Sequence, residues 1–288
     1  MNKRNHKRHS QAYQIWERFS RNPSAMLGLA IFIVIVLLAV ASGFLFDYDT
    51  VIIKQNFAER LQAPSLAHIC GTDDYGRDVF ARIMYGARYS LGISFTAVLA
   101  ALLFGTVLGS IAGFYGGWAD MLIMRATDVL MAIPQILMAI IIVSVAGSSA
   151  GIIAFALTLA QIPKFTRVAC SAVLRVADME YIESARALGE PGPMIIVKHI
   201  IPNCFAPLLI QTTLSVATAI LSVSGLSYLG MGIETPIPEW GAMLSAARPY
   251  INSKSYLSIF PGVAVMLTIL ALNLMGDGFR DAADPKQK

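Results

Sequence analysis

The chain has 288 residues, of which only 14% are charged, with a mean hydropathy of +0.62 and a formal net charge of +4. This composition excludes an ordinary soluble globular protein. It indicates a membrane protein with several spans, because uncharged stretches of about 20 residues recur along the chain. The three cysteines are odd in number and form no Cys-x-x-Cys pair, so the sequence predicts neither a disulfide framework nor a thiolate metal site.

The amino-terminal tail, residues 1–24, is strongly basic. Its only acid is Glu17, which stands among six basic residues: Lys3, Arg4, Lys7, Arg8, Arg18 and Arg21. A basic tail can bind nucleic acid, but beside a membrane span it more often sets the topology. The positive-inside rule therefore places this tail in the cytoplasm.

Six transmembrane helices are predicted, which gives an all-α polytopic membrane protein. They cover residues 25–46, 89–113, 121–145, 151–170, 203–228 and 257–276. The first could be a cleaved signal peptide, since Ala39-Val-Ala41 resembles a cleavage site, but its apolar run is long and a retained helix is favoured. The fourth is interrupted by Lys164, so either this side chain reaches toward the headgroups or the helix continues past them. With six crossings, both termini and residues 178–202 are cytoplasmic, and residues 47–88 and 230–256 are outside.

The segment after the first span contains a dense charged run, Cys70-Gly-Thr-Asp-Asp-Tyr-Gly-Arg-Asp-Val-Phe-Ala-Arg82. We predict a structural turn held by carboxylate–guanidinium pairs. Its residues are Gly71, Asp73, Asp74, Gly76, Arg77 and Asp78, followed by Arg82. The interleaved arginines argue against a divalent cation site, and His68 with Cys70 is too small a ligand set for nickel.

Two further patterns concern how the second and third spans pack. Gly105, Gly109 and Gly113 share one helical face and predict a close approach to another helix. Arg125 and Asp128 stand one turn apart before Pro134, and we interpret them as a charge pair that braces the cytoplasmic side.

Residues 178–202 form a charged island between apolar runs. Asp178 is a candidate N-cap, Glu180 and Glu183 suit the positive end of a helix, and Arg186 suits the negative end. Gly189 can end the helix in a left-handed turn, after which Pro193 and Pro202 each suit a first helical turn. On these physical grounds alone, an ordinary polar loop is slightly favoured over a functional handle.

The island resembles the EAA loop of ATP-binding-cassette (ABC) importer permeases. Glu183, Ser184 and Ala185 occupy its first three positions, Gly189 the glycine, and His199, Ile201 and Pro202 its end, although Ser184, His199 and Ile201 depart from the general consensus. The Gly-Thr-Asp-x-x-Gly-Arg-Asp run resembles the C-type permeases of the dipeptide, oligopeptide and nickel branch. The motifs Ser227-Tyr-Leu-Gly230, Pro238-Glu-Trp-Gly241 and Asn273–Asp281 resemble the same type, in the same order.

This resemblance implies a type I importer (MetI-like) permease fold. It implies a permease domain over residues 89–288, preceded by one helix and an extracellular segment over residues 25–88. The EAA loop, residues 178–202, would couple to an ATPase through Glu180, Glu183, Ser184, Ala185, Arg186, Gly189 and Pro202, while the charged turn would lie near the docking surface for an extracellular binding protein.

The fifth span carries a polar stripe formed by Gln211, Ser215, Thr218 and Ser222, which fall within one sector of a helix. Hydrogen bonding between helices explains the stripe about as well as a wall of a translocation path does. The family resemblance tips the interpretation modestly toward the path.

The sequence thus predicts a permease subunit of the bacterial cell (inner) membrane, not an enzyme. No phosphate-binding loop, catalytic set or metal site is found, so ATP and magnesium are expected on partner subunits. The expected partners are a second homologous permease, one or two ATPase subunits and a substrate-binding protein. Di- and oligopeptides are the expected substrates and nickel the alternative; an ATP-independent carrier is disfavoured because mid-membrane charges are essentially missing.

Overall fold

The computed structural model describes residues 11–283 and shows helices joined by turns and short loops. The basic residues at positions 3–8 lie outside this range. Helix α1 (Gln11–Arg21) precedes α2 (Pro23–Leu45), which begins where the Asn22 side chain accepts hydrogen bonds from two backbone N–H groups. Most large side chains of α2 are exposed, as expected for a helix that faces lipid. This span matches the predicted 25–46.

Helix α3 (Val79–Tyr115) is much longer than the predicted 89–113. It begins early because the Asp78 carboxylate accepts a 2.9 Å hydrogen bond from the Ala81 N–H and so caps the helix. The hydropathy of the sequence falls near Arg82, but that side chain is buried and paired, so the helix does not end there.

The third predicted span, 121–145, is not one helix. It consists of α4 (Gly117–Met131) and α5 (Gln135–Ala146), which are bent by 81° relative to each other. The break lies at Pro134, which has an extended ψ of 132° and cannot donate a backbone hydrogen bond. The predicted span therefore lies at these residues, but its bend was not predicted, because hydropathy does not register a break at one proline.

The remaining long helices are α6 (Ala150–Ala177), α10 (Phe205–Tyr228) and α12 (Tyr256–Ala283). Between α6 and α10 lie α7 (Glu180–Ala187), α8 (Gly192–Ile195), a π-helical turn at Ile196–Ile200 and the short α9 (Ile201–Asn203). Helix α11 (Trp240–Ala247) lies between α10 and α12. Helix α6 continues past Lys164 to Ala177, which favours the second alternative for this span, a helix that extends beyond the headgroups.

The centre of the bundle is the interface between α3 and α6. A Cβ atom at Gly105 would meet Phe165, one at Gly109 would meet the Thr166 carbonyl, and one at Gly113 would lie 3.0 Å from the Cys170 carbonyl. The predicted glycine face therefore packs directly against another helix, where small residues allow close approach.

Helices α10 and α12 pack beside this centre, and α2 packs on the outside of α12. Five helices are long and apolar enough to cross a membrane, and the bent α4–α5 pair is a sixth span where its two helices cross as one broken helix. The predicted all-α fold with six spans is confirmed.

Candidate functional site

The EAA loop opens with α7, in which Glu180 and Glu183 lie in the first turn and Arg186 in the last. The predicted cap, Asp178, is wrong: the residue before the helix is Met179, whose side chain makes no capping hydrogen bond. Asp178 ends α6 instead. Because α6 extends to Ala177, only Asp178 and Met179 separate the two helices.

Gly189 ends α7 in the left-handed region, at a φ of +79°. The Glu190 N–H donates to the Ala185 carbonyl at 3.1 Å, and the Gly189 N–H donates to the Arg186 carbonyl at 3.0 Å. These two bonds form a Schellman motif, which satisfies the last carbonyls of the helix and reverses the chain. The left-handed stop predicted from the sequence is therefore present.

One face of α7 anchors the loop to the bundle. Ile182 and Ala185 are buried in the main apolar core. The Arg186 guanidinium lies 4.6 Å from the ring centroid of Phe114, near the end of α3. This cation–π contact ties α7 to the end of α3.

The opposite face of α7 is exposed. Glu180, Glu183 and Ser184 project from it, and the Ser184 hydroxyl donates to the Glu180 carbonyl at 2.8 Å. Exposed hydrophobic side chains accompany them, notably Leu188, which is 88% exposed. Acids mixed with large apolar groups are typical of a surface that binds another protein.

An ion-pair cluster that was not predicted from the sequence closes the EAA loop. The His199 Nε2 lies 2.9 Å from one Glu190 carboxylate oxygen, and the Lys198 Nζ lies 3.3 Å from the other. The hydrogen bond to His199 and the Lys198 charge lower the pKa of Glu190. His199 was noted only as a departure from consensus, but its partner Glu190 lies across the turn and the spacing alone did not reveal the pair. Pro202 lies in the first turn of α9, as predicted.

Asp73 organises the charged outer turn. Its carboxylate accepts hydrogen bonds from the Tyr75 N–H, the Arg77 N–H and the Arg77 Nε at 2.9, 2.9 and 2.7 Å. Gly71 and Gly76 adopt φ values of +75° and +74° at the two ends of the turn. The turn is therefore held by its own charges. Asp74 forms no ion pair with the residues that the structure describes, and burial together with the Asp73 charge raises the pKa of Asp74.

The outer turn also joins distant segments. The Arg82 Nη1 donates to the Ile52 carbonyl at 2.6 Å and its Nη2 to the Pro236 carbonyl at 3.3 Å. The His68 Nδ1 lies 2.8 Å from the Asp78 Oδ2, within hydrogen-bonding distance. These contacts hold the segment after α2 against the loop before α11. The two outer segments therefore form one continuous surface.

A second brace lies at the bend between α4 and α5. The Asp128 carboxylate pairs with Arg125 at 3.8 Å, as predicted, and with Arg167 of α6 at 2.5 Å. The pair therefore links two helices, although sequence spacing pointed only to the contact within α4.

The polar stripe of α10 is divided by its surroundings. Ser215 is buried and accepts a 3.0 Å hydrogen bond from Gln211 within the same helix. Thr218 is exposed, and Ser222 accepts a 3.4 Å hydrogen bond from Gln135 of α5. Gln135 in turn accepts from Lys164 at 3.0 Å. The polar stripe thus continues onto α5 and α6 through Gln135 and Lys164, which were not predicted to belong to it.

Comparison with known proteins identifies the family. The family of binding-protein-dependent transport system inner membrane components matches residues 105–288. The N-terminal transmembrane domain of oligopeptide transport permease C matches residues 10–64. This chain belongs to that inner membrane component family. It is an ABC importer permease with several spans in the bacterial membrane.

The permease is similar along almost its whole length to curated relatives. It is 44% identical to the dipeptide transport system permease protein DppC of Alkalihalophilus pseudofirmus, over 96% of this chain and 90% of the relative. It is 40% identical to DppC of Escherichia coli K12, over 96% and 93%. It is 39% identical to the glutathione transport system permease protein GsiD of Pectobacterium atrosepticum, over 96% and 91%.

A solved structure supports the fold of the permease. A chain in an inward-facing structure of the MetNI methionine ABC transporter matches with a TM-score of 0.55, over 70% of this chain and 96% of that chain. The sequences are 17% identical, so the likeness concerns the fold alone. The predicted type I importer permease fold is confirmed.

Proposed function

We propose that this chain forms half of the translocation path of an ATP-driven importer of dipeptides and oligopeptides. A similar, non-identical permease forms the other half. The observation that carries the substrate class is the identity of 44% and 40% to two dipeptide permeases across 96% of this chain. Because the likeness covers both the outer segments and the spans, it includes the surfaces that would meet a peptide.

The coupling to ATP would use the exposed face of α7. A cytoplasmic ATPase that closes on Glu180, Glu183 and Ser184 would push α7, and the contact of Arg186 with Phe114 would carry the displacement to α3. The buried Ile182 and Ala185 make α7 move with the bundle rather than apart from it. Such a rigid handle suits rocking between inward-open and outward-open states.

The contact of α7 with a cytoplasmic ATPase also implies the orientation of the chain in the membrane. Both termini and the EAA loop face the cytoplasm, and the segments 47–88 and 230–256 face outward, where a substrate-binding protein docks. Arg18, Arg21, Arg175 and Lys198 all lie on the proposed cytoplasmic side, in agreement with the positive-inside rule. In this arrangement the chain is not an enzyme and holds no cofactor, and ATP with magnesium binds the one or two ATPase subunits.

Reconstitution tests this function. The permease, its partner permease and ATPase subunits are placed in liposomes with the cognate binding protein, and uptake of a labelled dipeptide is measured with and without ATP. ATP-dependent uptake that unlabelled di- and oligopeptides compete away is the expected result. Uptake of nickel without peptide uptake would instead support the nickel alternative, and uptake driven by an ion gradient without ATP would contradict the proposal.

A further inference from the structure

Lys164 is a cation within the apolar helix α6, one turn before Arg167. Its turn of α6 packs against Gly105, since a Cβ atom there would meet Phe165. At 1.5 Å per residue, Gly105 lies about 24 Å along α3 from Tyr89 and about 15 Å from Tyr115. Tyrosines concentrate at the two headgroup levels of a membrane. The Lys164 backbone therefore lies between these two levels, nearer that of Tyr115.

The Lys164 side chain points toward the polar stripe. Its Nζ donates to the Gln135 Oε1 at 3.0 Å, and the Gln135 Nε2 donates to the Ser222 Oγ at 3.4 Å. Three helices thus contribute to one polar chain: α6, α5 and α10. Gln135 is the first residue of α5, so the 81° bend before it places its amide between Lys164 and Ser222.

The charge of Lys164 is not neutralised within residues 11–283, where it forms no ion pair with an acidic side chain. Asp128 lies on the adjoining α4, but it pairs with Arg167 at 2.5 Å and Arg125 at 3.8 Å. An ammonium inside a membrane is costly unless it faces water or an anion. A half-buried Lys164 with a neutral amide as its partner is therefore suited to receive an anion.

We propose that Lys164 and Gln135, with Ser222 positioning the Gln135 amide, form a carboxylate site in the translocation path, which holds the side-chain carboxylate of a passing acidic peptide. This rests on the proposed function. The ammonium supplies the charge and the second N–H of the Gln135 amide supplies a donor, and an arriving carboxylate displaces the Gln135 Oε1 from Lys164. The Ser222 hydroxyl donates to the Thr218 carbonyl at 2.9 Å and accepts from Gln135, so it positions the amide. A single cation binds a carboxylate weakly enough for release, which a path requires.

The first test measures the local potential without any peptide. In the assembled importer, Cys70, Cys170 and Cys204 are replaced by serine and Thr218→Cys is introduced, one turn from Ser222. Its reaction rates with a sulfonate-bearing and a trimethylammonium-bearing methanethiosulfonate are compared. The anionic reagent is expected to be favoured, and Lys164→Met should lower this preference by about fivefold, while Lys164→Arg retains it. Lys54→Met, which removes an exposed cation of the outer segment, is the matched control and should change nothing.

The second test measures selectivity in transport. Initial uptake of Ala-Asp and Ala-Lys is compared at saturating binding protein, and Lys164→Met should lower the Ala-Asp to Ala-Lys ratio by about fivefold. If that variant assembles poorly, Lys164→Gln replaces it. Unchanged ratios in both tests, or a cysteine at position 218 that reacts with neither reagent, would overturn the inference. A wild-type importer that takes up neither peptide would contradict the proposed function, and the reagent ratio would still decide the role of Lys164.

Discussion

At the scale of single residues, Gly189 controls the direction in which the chain leaves α7. Its φ of +79° lies where a side chain clashes with the backbone, and no heavy atom lies within 4 Å of an added Cβ, so the cost of substitution is conformational. Gly189→Val should cost about 2 kcal/mol and lower the equilibrium constant for the correctly directed loop by about thirtyfold. We expect ATP-dependent uptake to fall accordingly.

The matched control is Gly151→Val in the first turn of α6. That position also has open space around an added Cβ, but its φ is not positive. Uptake by this variant should remain near that of the wild type. Normal uptake and normal ATPase association in Gly189→Val would contradict the role of the turn in coupling.

The ionisation of Glu190 makes the stability of the EAA loop depend on pH. Its pKa is lowered by the hydrogen bond from His199 and by Lys198, so the charged form is favoured in the folded loop. The stabilisation is fully present above the ordinary glutamate pKa of about 4.3, and it is lost as the pH falls through the lowered value. Hydrogen exchange of residues 188–204, corrected for intrinsic rates, should therefore show protection that declines only below about pH 4.

In Glu190→Gln, the same segment should exchange faster than in the wild type at pH 7, and the acid-dependent decline should disappear. Glu183→Gln removes an acid from the exposed face of α7 that forms no ion pair within residues 11–283, and it should leave exchange at pH 7 unchanged. Equal protection in Glu190→Gln and wild type would show that the cluster does not stabilise the loop.

At the scale of elements, the sequence located the spans better than their ends. Periodicity and hydropathy found every crossing, because burial in lipid demands a long apolar run. They missed the bend at Pro134 and the early start of α3, because these depend on one proline and on the buried pairing of Arg82. Asp178 was assigned to the wrong helix because the end of α6 depends on packing. The Schellman turn was predictable, since glycine is the residue that such a turn requires.

The side of the membrane on which the outer segment lies can be tested at a loop position. Cys70 is unsuitable, because it is 6% exposed and burial raises its pKa to about 11, so its thiol is both shielded and protonated. Leu66 is fully exposed. Leu66→Cys should react rapidly in intact cells with a membrane-impermeant thiol reagent, while the wild type stays unlabelled. Labelling of Leu66→Cys only from the cytoplasmic side would reverse the proposed orientation.

At the scale of the whole molecule, the polar stripe suits one wall of the path proposed above. Polar side chains of α10, α5 and α6 form one hydrogen-bonded chain through Ser222, Gln135 and Lys164. Thr218, one turn from Ser222, is exposed in this single chain. A second permease subunit opposite this face would enclose a water-filled space between two such walls. The alternative remains that the stripe binds a neighbouring helix, with each hydrogen bond worth about 0.5–2 kcal/mol.

A bulky side chain at an exposed stripe position separates these two possibilities. Ser215 is buried, so a tryptophan there would disturb packing, but Thr218→Trp can be accommodated by this chain. We expect Thr218→Trp to abolish uptake while the importer still assembles, because the indole fills the path. Leu221→Trp is the matched control: Leu221 is 60% exposed in the same helix and outside the stripe, so uptake should persist. If Thr218→Trp transports as well as Leu221→Trp, the stripe does not line the path; if it prevents assembly, the stripe packs against a partner helix.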